Sequence, residues 1–165
     1  DLPGHESGYM VKKLLHVLER TQALEQTIFV LDWPYEKAKR IFGDCLEKVI
    51  FCPVVDDRIP DLEQYVDEYI DKLSPVAFQF RFKDCNTTTY SLIPKVQASG
   101  SKLFVAATWN NHTAEHSDYV SVFSRPSEGW GWLIDKGFRV IETNFARDLI
   151  RYLNVENRRI FPSDD

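Results

Sequence analysis

The sequence predicts an α/β domain of about five parallel strands alternating with helices. Three observations lead there. Short apolar runs begin near residues 27, 48, 76, 102 and 138, mostly 21 to 28 residues apart with one longer interval. Amphipathic stretches with helical spacing lie between them. Most of the apolar runs end on polar residues. This rhythm is that of repeated strand–helix units, whose parallel strands are buried on both faces.

The elements follow in order. Residues 10–24 place Met10, Val11, Leu14, Leu15 and Leu18 at helical spacing among Lys12, Lys13, Glu19 and Arg20, an amphipathic helix with Ser7 as a cap. TIFVLDW (27–33) reads as a buried strand ending on an acid, and Pro34 suits the first turn of a helix, YEKAKRIF, that stops at Gly43. KVIFCPVVDD (48–57) is a second strand with two aspartates at its end. The helix 61–73 follows, with Leu62, Tyr65, Val66, Tyr69, Ile70 and Leu73 on one broad face. VAFQFRF (76–82) is the third strand, and TTYSLIPKVQA is expected to be helical despite Pro94. KLFVAAT (102–108) is the fourth strand. A polar stretch (110–128) interrupts the rhythm before helical WGWLIDK (130–136), a fifth strand FRVIE (138–142) and a closing helix ARDLIRYL (146–153).

Two architectures accommodate these units. A doubly wound sheet uses them as a whole domain, which the chain length of 165 residues favours. A (β/α)8 barrel uses them as its C-terminal portion and needs about three more strands. No glycine-rich phosphate loop follows the first strand, so a nucleotide-binding doubly wound domain lacks its usual signature.

Composition narrows the functions. An apolar content of 44% with no long apolar run predicts no transmembrane segment. A net charge of -5 without a dominant basic patch argues against nucleic-acid binding. Cys45, Cys52 and Cys85 form neither a CxxC nor a Cys/His zinc pattern, and their odd number argues against a dense disulfide framework. The sequons at Asn86 and Asn111 matter only if the chain enters a secretory pathway, and localisation stays open.

In both architectures ligands bind beyond the carboxyl ends of the strands. Asp32 is placed to orient a hydroxyl, to hold a divalent cation, or to cap the helix that starts at Pro34. Asp56 and Asp57 point to opposite sides of an extended strand, so at most one faces a central site; the alternative is a surface turn. Gln79 and Arg81 share one face of their strand while Phe78, Phe80 and Phe82 share the other. Burying Gln with Arg requires hydrogen-bond partners or an anion, so Arg81 is either a phosphate ligand or a member of an internal ion pair. The loop after the fourth strand offers His112, Glu115, His116 and Asp118. Its HTAEH run converges on a metal only if helical, and a solvated turn is the alternative. His112 is a candidate proton donor beside Trp109, and Trp109 either stacks on an apolar ligand portion or packs under the loop.

KVIFCPVVD, AFQFRF, LIPKVQASGSKLFVAATWN and WLIDKGFRVIETN followed by RDLIRYL occur in this order over about residues 10–153. In that order and spacing the chain resembles the C-terminal part of the glycerophosphodiester phosphodiesterase-like family, related in architecture to phosphatidylinositol-specific phospholipases. The resemblance implies the C-terminal portion of a (β/α)8 TIM barrel, completed by an N-terminal barrel segment or a complementary chain. It implies hydrolysis of a small phosphodiester or lipid headgroup, with a divalent cation (Mg or Ca) shared with residues outside this chain. The His acid/base residues belong to the N-terminal half. Here Arg81 would face phosphate, Trp109 the alcohol, and Asn110, Glu142 and Asn144 the substrate, with Asp32 a metal ligand. Asn144 stands where the family usually has Asp, and Gln79 on a strand that often carries Glu. Both departures remove negative charge, so a catalytically inactive barrel subunit acting as a binding or structural module is the second expectation, and a small non-enzymatic α/β domain the third.

Overall fold

Strand order separates the two architectures. In the computed structural model, which describes residues 8–158, a first helix α1 (Tyr9–Arg20) leads into strand β1 (Ile28–Leu31), and α2 (Tyr35–Phe42) into β2 (Ile50–Asp56). Helix α3 (Leu62–Lys72) precedes β3 (Ala77–Arg81), and α4 (Thr88–Ser91) with α5 (Ile93–Ala98) precede β4 (Lys102–Ala106). Helices α6 (Asp118–Phe123) and α7 (Trp132–Asp135) come before β5 (Phe138–Glu142), and α8 (Ala146–Val155) follows it. All neighbouring strands pair in parallel, in the order β1-β2-β3-β4-β5. A doubly wound sheet reverses its strand order at a switch point. Consecutive order with right-handed crossovers instead carries the helices to one side. The arrangement is (β/α) barrel-like, and the doubly wound alternative favoured by length does not form.

The two faces of the sheet differ accordingly. Phe29, Phe51, Val55, Phe78, Phe80, Phe82, Leu103, Val105 and Phe138 join Ala38, Phe42, Val66, Tyr69, Val96, Leu133 and Leu149 from the helices in one core. The opposite face carries a small separate cluster of Cys52, Ala77 and Phe104 with Val30, and no helix residue belongs to it. Each fully buried Phe or Leu contributes about 1.5–3 kcal/mol. Sliding β3 by one residue would trade three such rings for Gln79 and Arg81, so the alternation sets the register.

Several local expectations are refined. Helix α1 stops at Arg20, a 3-10 turn occupies Leu24–Gln26, and Ser7 lies outside the described residues. Leu15 is buried with Val11 and Leu18 against the core, whereas Met10 and Leu14 are exposed. Asp32 is exposed and makes no cap bond to α2, whose cap position is Pro34. Pro94 divides the expected helix in two, lying in the first turn of α5 where its missing N–H costs no helix bond. Asp57 turns away from the concave face and accepts from the Thr89 N–H at 2.9 Å, joining Thr87 in capping α4.

The polar stretch 110–128 contains α6 and the start of a π-helical turn, Ser127–Gly131. Buried Asp118, at the start of α6, accepts from the Trp130 indole at 2.8 Å, the Thr143 hydroxyl at 2.7 Å and the Asn144 N–H at 2.9 Å. Its own N–H donates to the Ala107 carbonyl at 2.8 Å. Trp130 is 1% exposed, and its N–H donates to Ser121 Oγ at 2.9 Å. The turn approaches α6 so closely that a Cβ on Gly129 would stand 2.0 Å from Ser121 Oγ and 2.8 Å from the Ser117 carbonyl.

Asp118→Ala strands the buried Trp130 indole N–H and frees the partly buried Thr143 hydroxyl and Asn144 N–H, and we expect it to lower unfolding free energy by roughly 2–3 kcal/mol in urea titrations. Gly129→Ala should cost roughly 2 kcal/mol through overpacking. An effect below about 0.5 kcal/mol for both would show that this junction does not support the fold.

Candidate functional site

The concave face becomes polar toward the carboxyl ends of its strands. Along β2 the residues facing this side run Cys52, Val54, Asp56, and along β3 Ala77, Gln79, Arg81. Asp56 and Arg81 are register partners on adjacent strands, as are Val54 and Gln79. Gln79 is 3% exposed, and its Oε1 accepts from Arg81 Nε at 3.1 Å and Nη2 at 3.0 Å. This double bond holds the guanidinium along the strand. No ion pair joins Arg81 to a carboxylate among the described residues; the hydrogen-bond alternative for burying Gln with Arg is the one that forms.

The Asp56 carboxylate pairs instead with Arg58, accepting from Nε at 2.9 Å and Nη2 at 2.6 Å, and from the Arg58 N–H at 3.0 Å. Burial works to raise the Asp56 pKa. The Arg58 hydrogen bonds and charge, with Arg81 nearby, outweigh it and leave Asp56 more acidic than usual. Asp32 also adds its charge to the surroundings of Arg58. The ends of β1, β2 and β3 thus bring Asp32, Asp56, Arg58 and Arg81 into one electrostatic neighbourhood.

The loop after β4 closes over this region. Phe82, next to Arg81, donates its N–H to the His112 carbonyl at 3.3 Å and accepts at its own carbonyl from the Ala114 N–H at 3.0 Å. Phe82 and Thr113 form an isolated parallel bridge. Ala114 and Glu115 take positive φ values of 47° and 70°, a conformation costing roughly 1–2 kcal/mol per non-glycine residue. The half-buried His112 has its Nδ1 enclosed without a hydrogen-bond partner among the described residues. Burial and then the Arg81 charge lower its pKa, Arg58 adds to this, and Asp56 opposes it. The HTAEH run is not a helix, and His112 and His116 diverge in role. His116 stacks on Trp132 with ring centroids 3.8 Å apart, and its Nδ1 lies 2.5 Å from the Glu128 carbonyl oxygen.

Of the other strand-end residues, Trp109 is 61% exposed rather than packed under the loop, with its ring 6.3 Å from that of His112. Asn110 is exposed, and its Oδ1 accepts from the Ser117 hydroxyl. Glu142 pairs with Ala106 in the β4–β5 register, which shifts between Leu103 and Phe104 and leaves Arg139 as the extra residue. Glu142 and Asn144 are exposed, whereas Thr143 turns inward to Asp118. Among the described residues no three His, Cys, Asp or Glu side chains stand together to hold a metal ion, and both Asp56 oxygens are taken by Arg58.

Residues 51–153 match the model of DUF4996, a family described as a domain of unknown function. No curated protein matches the chain. No helix among the described residues is long and apolar enough to cross a membrane.

The pH dependence of stability follows from the two shifts. Asp56 is more acidic folded than unfolded, so its contribution is present above the ordinary carboxylate range and is lost as pH falls to the folded value. His112 is also harder to protonate when folded, so its contribution is complete above the ordinary histidine range and is lost as pH falls through and below it. Urea titrations from about pH 2 to about pH 8 should show the histidine-range slope flatten in His112→Gln. Arg58→Met should flatten chiefly the carboxylate-range slope, its effect on His112 being the smallest of those acting on that ring, and lower neutral-pH stability by no more than about 1 kcal/mol because Arg58 is largely exposed.

Proposed function

The chain belongs to the DUF4996 family, and from that premise we propose that it is part of a phosphodiester-hydrolysing barrel of the glycerophosphodiester phosphodiesterase-like kind. The observation that carries this reading is the placement of Arg58 and Arg81 at the carboxyl ends of adjacent strands, over the concave face. Guanidinium forks suit phosphate oxygens, and strand carboxyl ends are where barrels bind ligands. The barrel-like arrangement is compatible with an enzyme scaffold.

In this reading Arg81, held by Gln79, binds a phosphoryl oxygen. Trp109 lies against the alcohol or headgroup, and Asn110, Glu142 and Asn144 bond the rest of a small phosphodiester or lipid headgroup. The His acid/base pair comes from an N-terminal barrel segment or a complementary chain, which also covers the outer edges of β1 and β5. Those edges support the inference, because each pairs on one side only among the described residues. Exposed Met10, Leu14 and Val17 on α1, and Ile150 and Val155 on α8, give the flanking helices apolar surface for it. Asp32 makes no ion pair among the described residues, and is the residue through which a Mg or Ca ion held mainly by that partner would touch this chain. A second reading, an inactive barrel subunit serving as a binding or structural module, draws support from neutral Gln79 and Asn144 and from the engagement of Asp56 by Arg58.

The full-length protein assayed on glycerophosphodiesters, with and without a chelator, separates the two. Hydrolysis that falls roughly 100-fold or more in kcat/KM on Arg81→Met is the expected result. Inactivity with every divalent cation tried, combined with retained phosphodiester binding, would establish the binding module instead.

A further inference from the structure

The loop after β4 brings a histidine close to the arginine site with one ring nitrogen unpartnered among the described residues. Backbone bonds from Phe82 to His112 and from Ala114 to Phe82 stitch the loop to the end of β3, one residue from Arg81. Two successive left-handed non-glycine residues, Ala114 and Glu115, hold the loop in this path. The ring nitrogen Nδ1 is enclosed and unpartnered among the described residues. A buried nitrogen without a partner is costly, and the cost disappears when an oxygen arrives to share a proton with it.

We propose that His112 is the proton-carrying member of this site, taking up a proton from water as a phosphodiester oxyanion binds against Arg81 and Arg58. This inference rests on the phosphodiester reading above. The charged groups around His112 are Arg81 from β3, and Asp56 and Arg58 from the end of β2; Trp109 from its own loop is the neighbouring ring. With no ligand, burial disfavours the charged ring, and the nearby Arg81 and Arg58 guanidiniums, opposed by Asp56, disfavour it further. A bound anion reverses that balance and makes the imidazolium the favoured form. In this step an N–H bond forms on the ring as an O–H bond of a solvent hydronium breaks, and the exchange reverses when the anion leaves. The site thus binds a monoanionic diester together with a proton.

The test uses the full-length protein and dimethyl phosphate, a diester that stays singly charged across the range studied. Histidine titrations followed by proton–nitrogen NMR should show the His112 midpoint rise on adding dimethyl phosphate. His16 on α1 and His116, stacked on Trp132, serve as internal references that should not move. Affinity for the diester should increase about three- to tenfold from about pH 8 to about pH 6 in the wild type, and stay flat in His112→Gln. Arg81→Met should weaken binding at every pH. Binding that needs Arg81 while the His112 midpoint stays put would overturn the role of His112 and leave the anion site standing. Absence of binding, or binding indifferent to Arg81, would overturn the phosphodiester reading and this inference with it.

Discussion

Three donors converge on the Asp118 carboxylate: the Trp130 indole, the Thr143 hydroxyl and the Asn144 amide. A buried carboxylate is tolerable only when its oxygens are bonded, and here the donors come from separate parts of the chain. The link joins the start of α6, the π-helical turn and the end of β5, while the Asp118 N–H ties the same point to the residue after β4. The loop that leaves β4 is therefore fixed at both ends, by Phe82 on one side and by Asp118 on the other. Trp109, Asn110 and His112 owe their position to that double anchorage.

Most of the scaffold was legible in the sequence because it rests on two periodicities. Phe78, Phe80 and Phe82 against Gln79 and Arg81 announced a strand with chemically distinct faces, and the structure buries the rings among helices while the polar pair bond to each other. The same reasoning sent Asp56 and Asp57 in opposite directions, one to Arg58 and the other to the start of α4. Other features left no periodic trace. Helix α6 is six residues long, too short for an amphipathic pattern to emerge from DYVSVF. The role of Asp118 depends on partners 12, 25 and 26 residues away, which local spacing does not register. The shift in the β4–β5 pairing is a relation between two strands, invisible in either alone. The polar close of β5 is a mixed case: Thr143 is an anchor, and its neighbours Glu142 and Asn144 remain exposed at the carboxyl end of the strand.

The polar side chains at the ends of β2 and β3 are largely bonded to one another. Asp56 is the buried carboxylate beside the arginines, and a bidentate pair with Arg58 occupies both of its oxygens. Gln79 and Asn144 are uncharged. Gln79 spends its acceptor on keeping Arg81 in place. Cys52, lower on the same face, is walled in by apolar neighbours, and burial pushes its thiol up to about 12, so it adds no charge.

Consecutive strand order also sets the sequence in which parts of the molecule open. Each strand bonds only to its neighbours in the chain, so the domain behaves as a short linear array that loosens from its ends. Strand β3 is held on both sides and lies in the middle; β1 is held on one. Arg81 accordingly belongs to the most durable stratum of the sheet, and Asp32, just past β1, to one of the most labile. An opening that began at the β1 edge would displace Asp32 before it reached Arg81 and so separate the two charges at this mouth.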